Sequence, residues 1–192
     1  MLHPTLRAEG PRATRFTVET IHKYFLRLEK MLPDTVRLFK KENFKIFLLD
    51  DKNLFGGLEL VLEGQGKWDH RHSAFTEKSI IIARAYKYSV DDSLLPFVLH
   101  EMVHFHHKRV IGFEFNHLLR QALGRAKRSK RYNDEYAVQS NLYEYFAEIS
   151  TAYLLKDAYD FAPAGSQWLF KFDRTGYYFC LRNSEGHPRP MT

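Results

Sequence analysis

The chain has a single cysteine, Cys180, among its 192 residues, which excludes an internal disulfide framework and a cysteine-built metal site. That cysteine sits in the short aromatic run from Tyr177 to Leu181 and is expected there as a small buried hydrophobe. No segment reaches the run of about 18 apolar residues that a membrane span needs. The first fifteen residues, MLHPTLRAEGPRATR, hold no apolar run of signal-peptide length. The compartment therefore stays open: secretion if a leader has been removed, the cytoplasm otherwise. No repeat, low-complexity tract or linker marks a domain boundary.

What is present fits one folded domain. Hydrophobic residues make up 44% of the chain and charged residues 27%, enough apolar surface for a core and too little charge for global disorder. Sixteen Phe and eleven Tyr suit an aromatic core and a ring-lined groove. Lys and Arg total 29 against 23 acids, a net charge of +6. The densest basic stretch, Arg125 to Arg131, has Gly124 before it and Ser129 within it. It reads as a solvated helix end and loop, with no zinc-finger or helix-turn-helix spacing beside it. No stable nucleic-acid partner is expected.

Residues 1–15 are rich in Pro, Gly and Arg and are expected to be loose. Residues 16–183 form the folded domain, and 184–192 a flexible tail. The apolar spacing of Ile21, Phe25, Leu28 and Leu32 predicts a helix over Thr17–Met31, with Pro33 as a stop. Short apolar clusters from Val36 to Leu49 predict one or two strands, and Leu58–Leu62 and Ser79–Ala83 further strands. The polar stretch from Gly64 to Thr76 is a loop. A helix starting near Ser93, capped by Asp91 or Asp92, runs to about Val110 and ends at Gly112. Further helices are expected over Phe113–Ala126 and Ser140–Lys156. The fold class is α+β, a small mixed sheet packed against two functional helices.

The first of those helices contains His100-Glu101-Met102-Val103-His104. Residues four apart lie above one another on a helix, so the two imidazoles share a face with about 6 Å of axial rise between them. That places two nitrogen ligands for one zinc ion. Glu101 lies beside this face, where its carboxylate reaches water activated by the metal and serves as general base. Leu94, Leu95, Phe97, Val98, Leu99, Met102, Val103 and Phe105 make the helix apolar on most sides. Polar groups embedded in it are costly unless a metal or a partner satisfies them.

A hydrolytic zinc site needs a third protein ligand. His107 lies about 10 Å along the axis from His100, which a straight helix hardly allows. His117 is reachable through the turn at Gly112, and the position ten residues beyond His100 is Val110. Glu144 is the better candidate. In Tyr143-Glu144-Tyr145-Phe146-Ala147-Glu148 two carboxylates share a helix face at i and i+4 and repel unless a cation separates their roles. Glu144 then binds zinc, and Glu148 accepts the outward N–H of a ligating histidine, His100.

HEMVH and the downstream EYFAE string resemble those of gluzincin-type zinc metallopeptidases, with a zincin-like single domain. The similarity is to the branch that holds the anthrax lethal factor catalytic domain and the bacterial Pro-Pro endopeptidases, and to bacterial and fungal HExxH proteins with a comparable EYFAE segment. It covers roughly residues 75 to 180. It implies a zinc-dependent endopeptidase in which His100, His104 and Glu144 hold Zn2+, Glu101 is the base and Glu148 supports a histidine. It also implies a tyrosine before the glutamate ligand that steadies the oxyanion. Tyr136 is the nearest counterpart, eight residues before Glu144 where the related motif has seven, and Tyr143 and Tyr132 are the alternatives. The expected partner is a peptide or protein substrate, met by a monomer. A catalytically inactive zinc-binding domain and a basic nucleic-acid-associated protein are the rival readings.

Overall fold

The computed structural model describes residues 6–9, 11–49, 73–75, 79–88, 95–112, 116–132, 141–155 and 165–184. The chain divides into two compact units, Met1–Phe105 and His106–Thr192. The division falls inside a helix, where no change of composition marks it.

The first unit is α+β. Strand β1 (Leu6–Glu9) leads into helix α1 (Pro11–Met31), followed by α2 (Pro33–Lys41), β2 (Lys45–Leu49), β3 (Ser73–Phe75) and β4 (Ser79–Ala83). The sheet order is β1-β2-β4-β3. β1 and β4 each pair in parallel with β2, and β3 pairs antiparallel with β4, so the sheet is mixed. Ile46, Phe47, Leu48 and Leu49 are all buried, as are Ile80, Ile81 and Ile82. These central strands therefore read as continuous apolar runs, because parallel strands bury both faces.

Helix α1 buries Ile21, Tyr24, Phe25 and Leu28, the i, i+3, i+4, i+7 stripe of an amphipathic helix. Two sequence expectations change here. The Val36–Leu49 region begins not with a strand but with α2, which buries Thr35, Val36 and Phe39 on one face. Pro33 opens that helix at its first position, where a missing N–H costs nothing, and Asp34 and Lys40–Lys41 sit at the dipole-favoured ends. β1 occupies part of the stretch whose composition suggested a loose segment. Its partner is β2, a non-local contact that local composition does not carry. The expected strand Leu58–Leu62, most of the Gly64–Thr76 loop and the tail beyond Ser184 lie outside the described residues.

Helix α3 (Leu95–His106) reaches the end of the first unit at Phe105, and its last residue and the π-helical turn His107–Ile111 belong to the second. Leu95, Val98, Leu99, Met102 and Val103 are buried. Phe105 stacks with Phe39 and Phe44 at centroid separations of 4.5 and 4.9 Å, while those two rings lie 4.6 Å apart. Asn43, with φ of 53°, makes the turn that returns Phe44 to the cluster. Asn is one of the few residues that adopts this conformation cheaply.

In the second unit, α4 (Asn116–Ser129), α5 (Leu142–Leu155), α6 (Ser166–Phe172) and α7 (Arg174–Ser184) pack together. Their polar centre is Asp173, which is 5% exposed. Its Oδ2 accepts hydrogen bonds from the hydroxyls of Tyr132 and Tyr145, the latter at 2.7 Å, and its Oδ1 accepts from the Gly176 N–H at 3.0 Å. Asp173 thus caps α7 and ties it to α5. A methyl group at Gly176 would lie 2.7 Å from Asp173 Oδ2 and 2.9 Å from the Tyr145 hydroxyl, so the close approach requires glycine. Cys180 is buried as expected, with its sulfur 3.6 Å from Ser150 Oγ.

Burial pushes the Tyr132 and Tyr145 hydroxyls far above the ordinary tyrosine range, and each negative neighbour adds to the shift. Burial likewise pushes the Cys180 thiol up to about 12 from 9.0. All three are acids whose neutral form the fold favours. Their stabilising contribution is complete below the unfolded-state pKa and is lost as pH rises above it. Urea denaturation across the alkaline range should therefore show stability declining once the unfolded thiol and tyrosines ionise. A Tyr132→Phe/Cys180→Ala variant should show a shallower decline, and identical slopes would contradict this account. Asp173→Ala should cost about 3–5 kcal/mol, because it strands two buried hydroxyls and removes a cap.

Candidate metal centre

The α3 helix supplies the first part of the site. The Nε2 atoms of His100 and His104 lie 3.2 Å apart, with ring centroids at 4.9 Å and planes at 81°. Two nitrogens bound to one tetrahedral zinc, with bonds of about 2.05 Å, are separated by about 3.3 Å. The spacing on this helix face is that of a shared ion. Two neutral imidazoles also meet at this distance through one N–H, but that leaves no role for a carboxylate drawn to the same spot.

Such a carboxylate is present. Ligand atoms of His100, His104 and Glu144 all lie within 4.8 Å of one another. The donor set is two imidazole nitrogens and one carboxylate oxygen, hard and borderline ligands in the number a zinc site with an open position uses. These residues fit a zinc ion. Glu101 is 5% exposed, next in sequence to His100 and outside the ligand set.

Helix α5 presents Glu144 through its first turn. Asn141 caps the helix: its Oδ1 accepts from the N–H groups of Tyr143 at 2.8 Å and Glu144 at 3.0 Å. The backbone of the ligand residue is therefore held by a side chain, and its carboxylate stands at the helix end where negative charge is favoured. The next residue, Tyr145, is fully buried and anchored on Asp173. Asn141 and Asp173 were not picked out from the sequence. The Asn141-x-x-Glu144 spacing, a capping-box relative, was a readable signal for the first. No local pattern marks the second, which lies 28 residues from its tyrosine partner.

The other sequence candidates fall as follows. His107 is buried in the π turn, where its Nε2 is 2.8 Å from Asn116 Oδ1 and its ring lies 4.6 Å from that of Phe146. It belongs to the second unit's interior and not to the ligand set. The π turn closes with the Gly112 N–H donating to the His107 carbonyl at 2.9 Å, and Gly112 leaves it with φ of 79°. His117 is exposed on α4 and also outside the ligand set. Glu148 is half-buried one turn beyond Glu144 on α5. The Tyr132 hydroxyl is committed to Asp173. Tyr143 is exposed, its ring 5.4 Å from that of His107. Tyr136 lies outside the described residues. No helix among the described residues is long and apolar enough to cross a membrane.

No family model and no curated protein matches the chain. Among solved structures it is similar to the Pro-Pro endopeptidase PPEP-2 from Paenibacillus alvei, with a TM-score of 0.59 and 20% sequence identity over 93% of this chain and 96% of that one. At that identity the likeness is one of fold, and it spans nearly the whole length of both chains. The chain therefore shares the fold of that endopeptidase.

Proposed function

We propose that the chain is a zinc-dependent endopeptidase. The observation that carries this reading is the convergence of His100, His104 and Glu144 with the buried carboxylate of Glu101 next to the first ligand. A purely structural zinc site is closed by four protein ligands and has no use for a free carboxylate at its side.

When bound, zinc supplies Lewis acidity that polarises a carbonyl and makes a nearby water acidic. His100 Nε2, His104 Nε2 and a Glu144 oxygen would hold the ion. Glu101 takes the proton from the attacking water on its carboxylate and passes it to the departing amine nitrogen. Burial of Glu101 keeps bulk water from competing for that proton. Glu148 accepts the outward N–H of His100 and so fixes the tautomer that leaves Nε2 free to ligate. The hydroxyl of Tyr136 donates a hydrogen bond to the developing oxyanion. The substrate is a polypeptide; the similar solved structure is by name a Pro-Pro endopeptidase, so a test library includes proline-rich sequences.

Cleavage of a diverse peptide library should stop with chelator and return with added zinc. Glu101→Gln should keep zinc by metal analysis while turnover falls about 10²–10⁴-fold, the usual contribution of a general base. Full activity in that variant would refute the assignment, and full zinc with no cleavage by the unaltered protein would favour a binding domain. Glu144→Ala should lose bound zinc under conditions where the unaltered protein retains one equivalent. Glu148→Gln should weaken zinc binding by about 10–100-fold, the range measured for groups that orient ligands from behind.

A further inference from the structure

The basic stretch beyond Gly124 is not absorbed by the peptidase reading, and the structure joins it to other cations. Lys127, Arg128, Lys130 and Arg131 end α4 and the turn after it, and all are exposed. The Arg131 guanidinium lies 5.1 Å from the centre of the Phe172 ring, and Lys171 Nζ lies 4.9 Å from the same ring. Arg174 stacks over Phe170 at 5.1 Å. Arg125 donates to Thr175 Oγ1 at 3.1 Å, which bonds α4 to the start of α7. The ends of α4 and α6 and the start of α7 therefore meet in one cationic junction.

Three features separate this junction from an ordinary solvated surface. First, Arg131, Lys171 and Arg174 are held by aromatic rings and Arg125 by a hydroxyl, which fix their positions without neutralising them. Among the described residues of the second unit the acids are Glu144, Glu148 and Asp173, and Asp173 is buried against the hydroxyls of Tyr132 and Tyr145. Second, Arg174 is the first residue of α7, where the helix dipole disfavours a cation. A position that costs stability calls for another reason. Third, Phe170 is 44% exposed beside the Arg174 guanidinium, an uncommon exposure for a large ring.

We propose that this junction binds an acidic segment of a polypeptide. Guanidinium groups pair with carboxylates in a planar fork, and the exposed rings provide apolar contact between them. Single-stranded nucleic acid is disfavoured because binding it relies on open ring faces for bases to stack on, and here Phe170 and Phe172 already carry the chain's own cations. The choice of a polypeptide rests in addition on the peptidase reading, under which the junction gathers acidic stretches of substrate.

The test is fluorescence anisotropy with a labelled oligoglutamate peptide, an oligothymidylate and phosphatidylserine vesicles as three probes. It uses the full chain with and without chelator, so that the result does not depend on turnover. Oligoglutamate should bind in a salt-sensitive manner. Lys130→Glu/Arg131→Glu/Arg174→Glu should weaken it at least about ten-fold, while Lys23→Glu/Lys30→Glu/Lys41→Glu, an equal charge change on the first unit, leaves it within about two-fold. Arg174→Glu alone should raise Tm and still weaken binding, opposite directions that a merely structural role would not produce. Equal loss in both triple variants means net charge alone, and tighter binding to oligothymidylate or vesicles means a different partner. Either result overturns the proposal, as does no binding at all. Cleavage lost with oligoglutamate binding intact would instead overturn the peptidase reading alone.

Discussion

Two imidazole nitrogens held 3.2 Å apart on neighbouring turns of one helix are a demanding arrangement. Their lone pairs repel unless a proton or a cation lies between them, and the helix around them is buried on its other sides. Much of the first unit serves to make that helix rigid. Leu95, Val98, Leu99, Met102 and Val103 pack it into the interior, and Phe105 is gripped by Phe39 and Phe44 one residue past the second ligand. Each such buried side chain contributes about 1.5–3 kcal/mol. That stabilisation is large beside the cost of embedding two histidines and a glutamate, and it is what allows a polar face on an otherwise apolar helix.

The third ligand is placed by polar contacts more than by apolar ones. The Glu144 N–H is bonded to Asn141 Oδ1, and its successor Tyr145 is bonded to the carboxylate of Asp173. The carboxylate that meets the histidines is therefore pinned on both sides along its own backbone. Orientation of this kind is what a metal site needs, because a ligand already in place loses little freedom on binding. Asp173 also starts α7, so the stability of the helical unit and the placement of Glu144 depend on the same buried group.

How much of this was legible follows from which interactions are local. HEMVH, the helix that carries it and the Glu144 helix could be read from spacing, because residues four apart on a helix meet whatever else the chain does. α1 was legible from its apolar period, β4 from its short continuous apolar run, and Cys180 from its aromatic setting. β1 and α2 were not. β1 depends on pairing with a strand some forty residues away, and the apolar clusters of α2 are too short to separate a helical from an extended period. The π turn was invisible for a different reason: its ring contact and hydrogen bond at His107 come from Phe146 and Asn116, on helices the sequence does not tie to it. Asp173 looked like an ordinary acid between two aromatic segments.

The distribution of carboxylates in the second unit has a further consequence. Among its described residues, Asp173 is buried on two tyrosines and Glu144 belongs to the metal set, so neither is available to balance the basic surface. Aromatic rings at Phe170 and Phe172 hold three cations where the helix ends meet. A cation at the first residue of α7 adds to the collection at the expense of its own helix. The same aspartate whose tyrosine partner follows Glu144 stands immediately before that arginine and caps the helix through the Gly176 N–H.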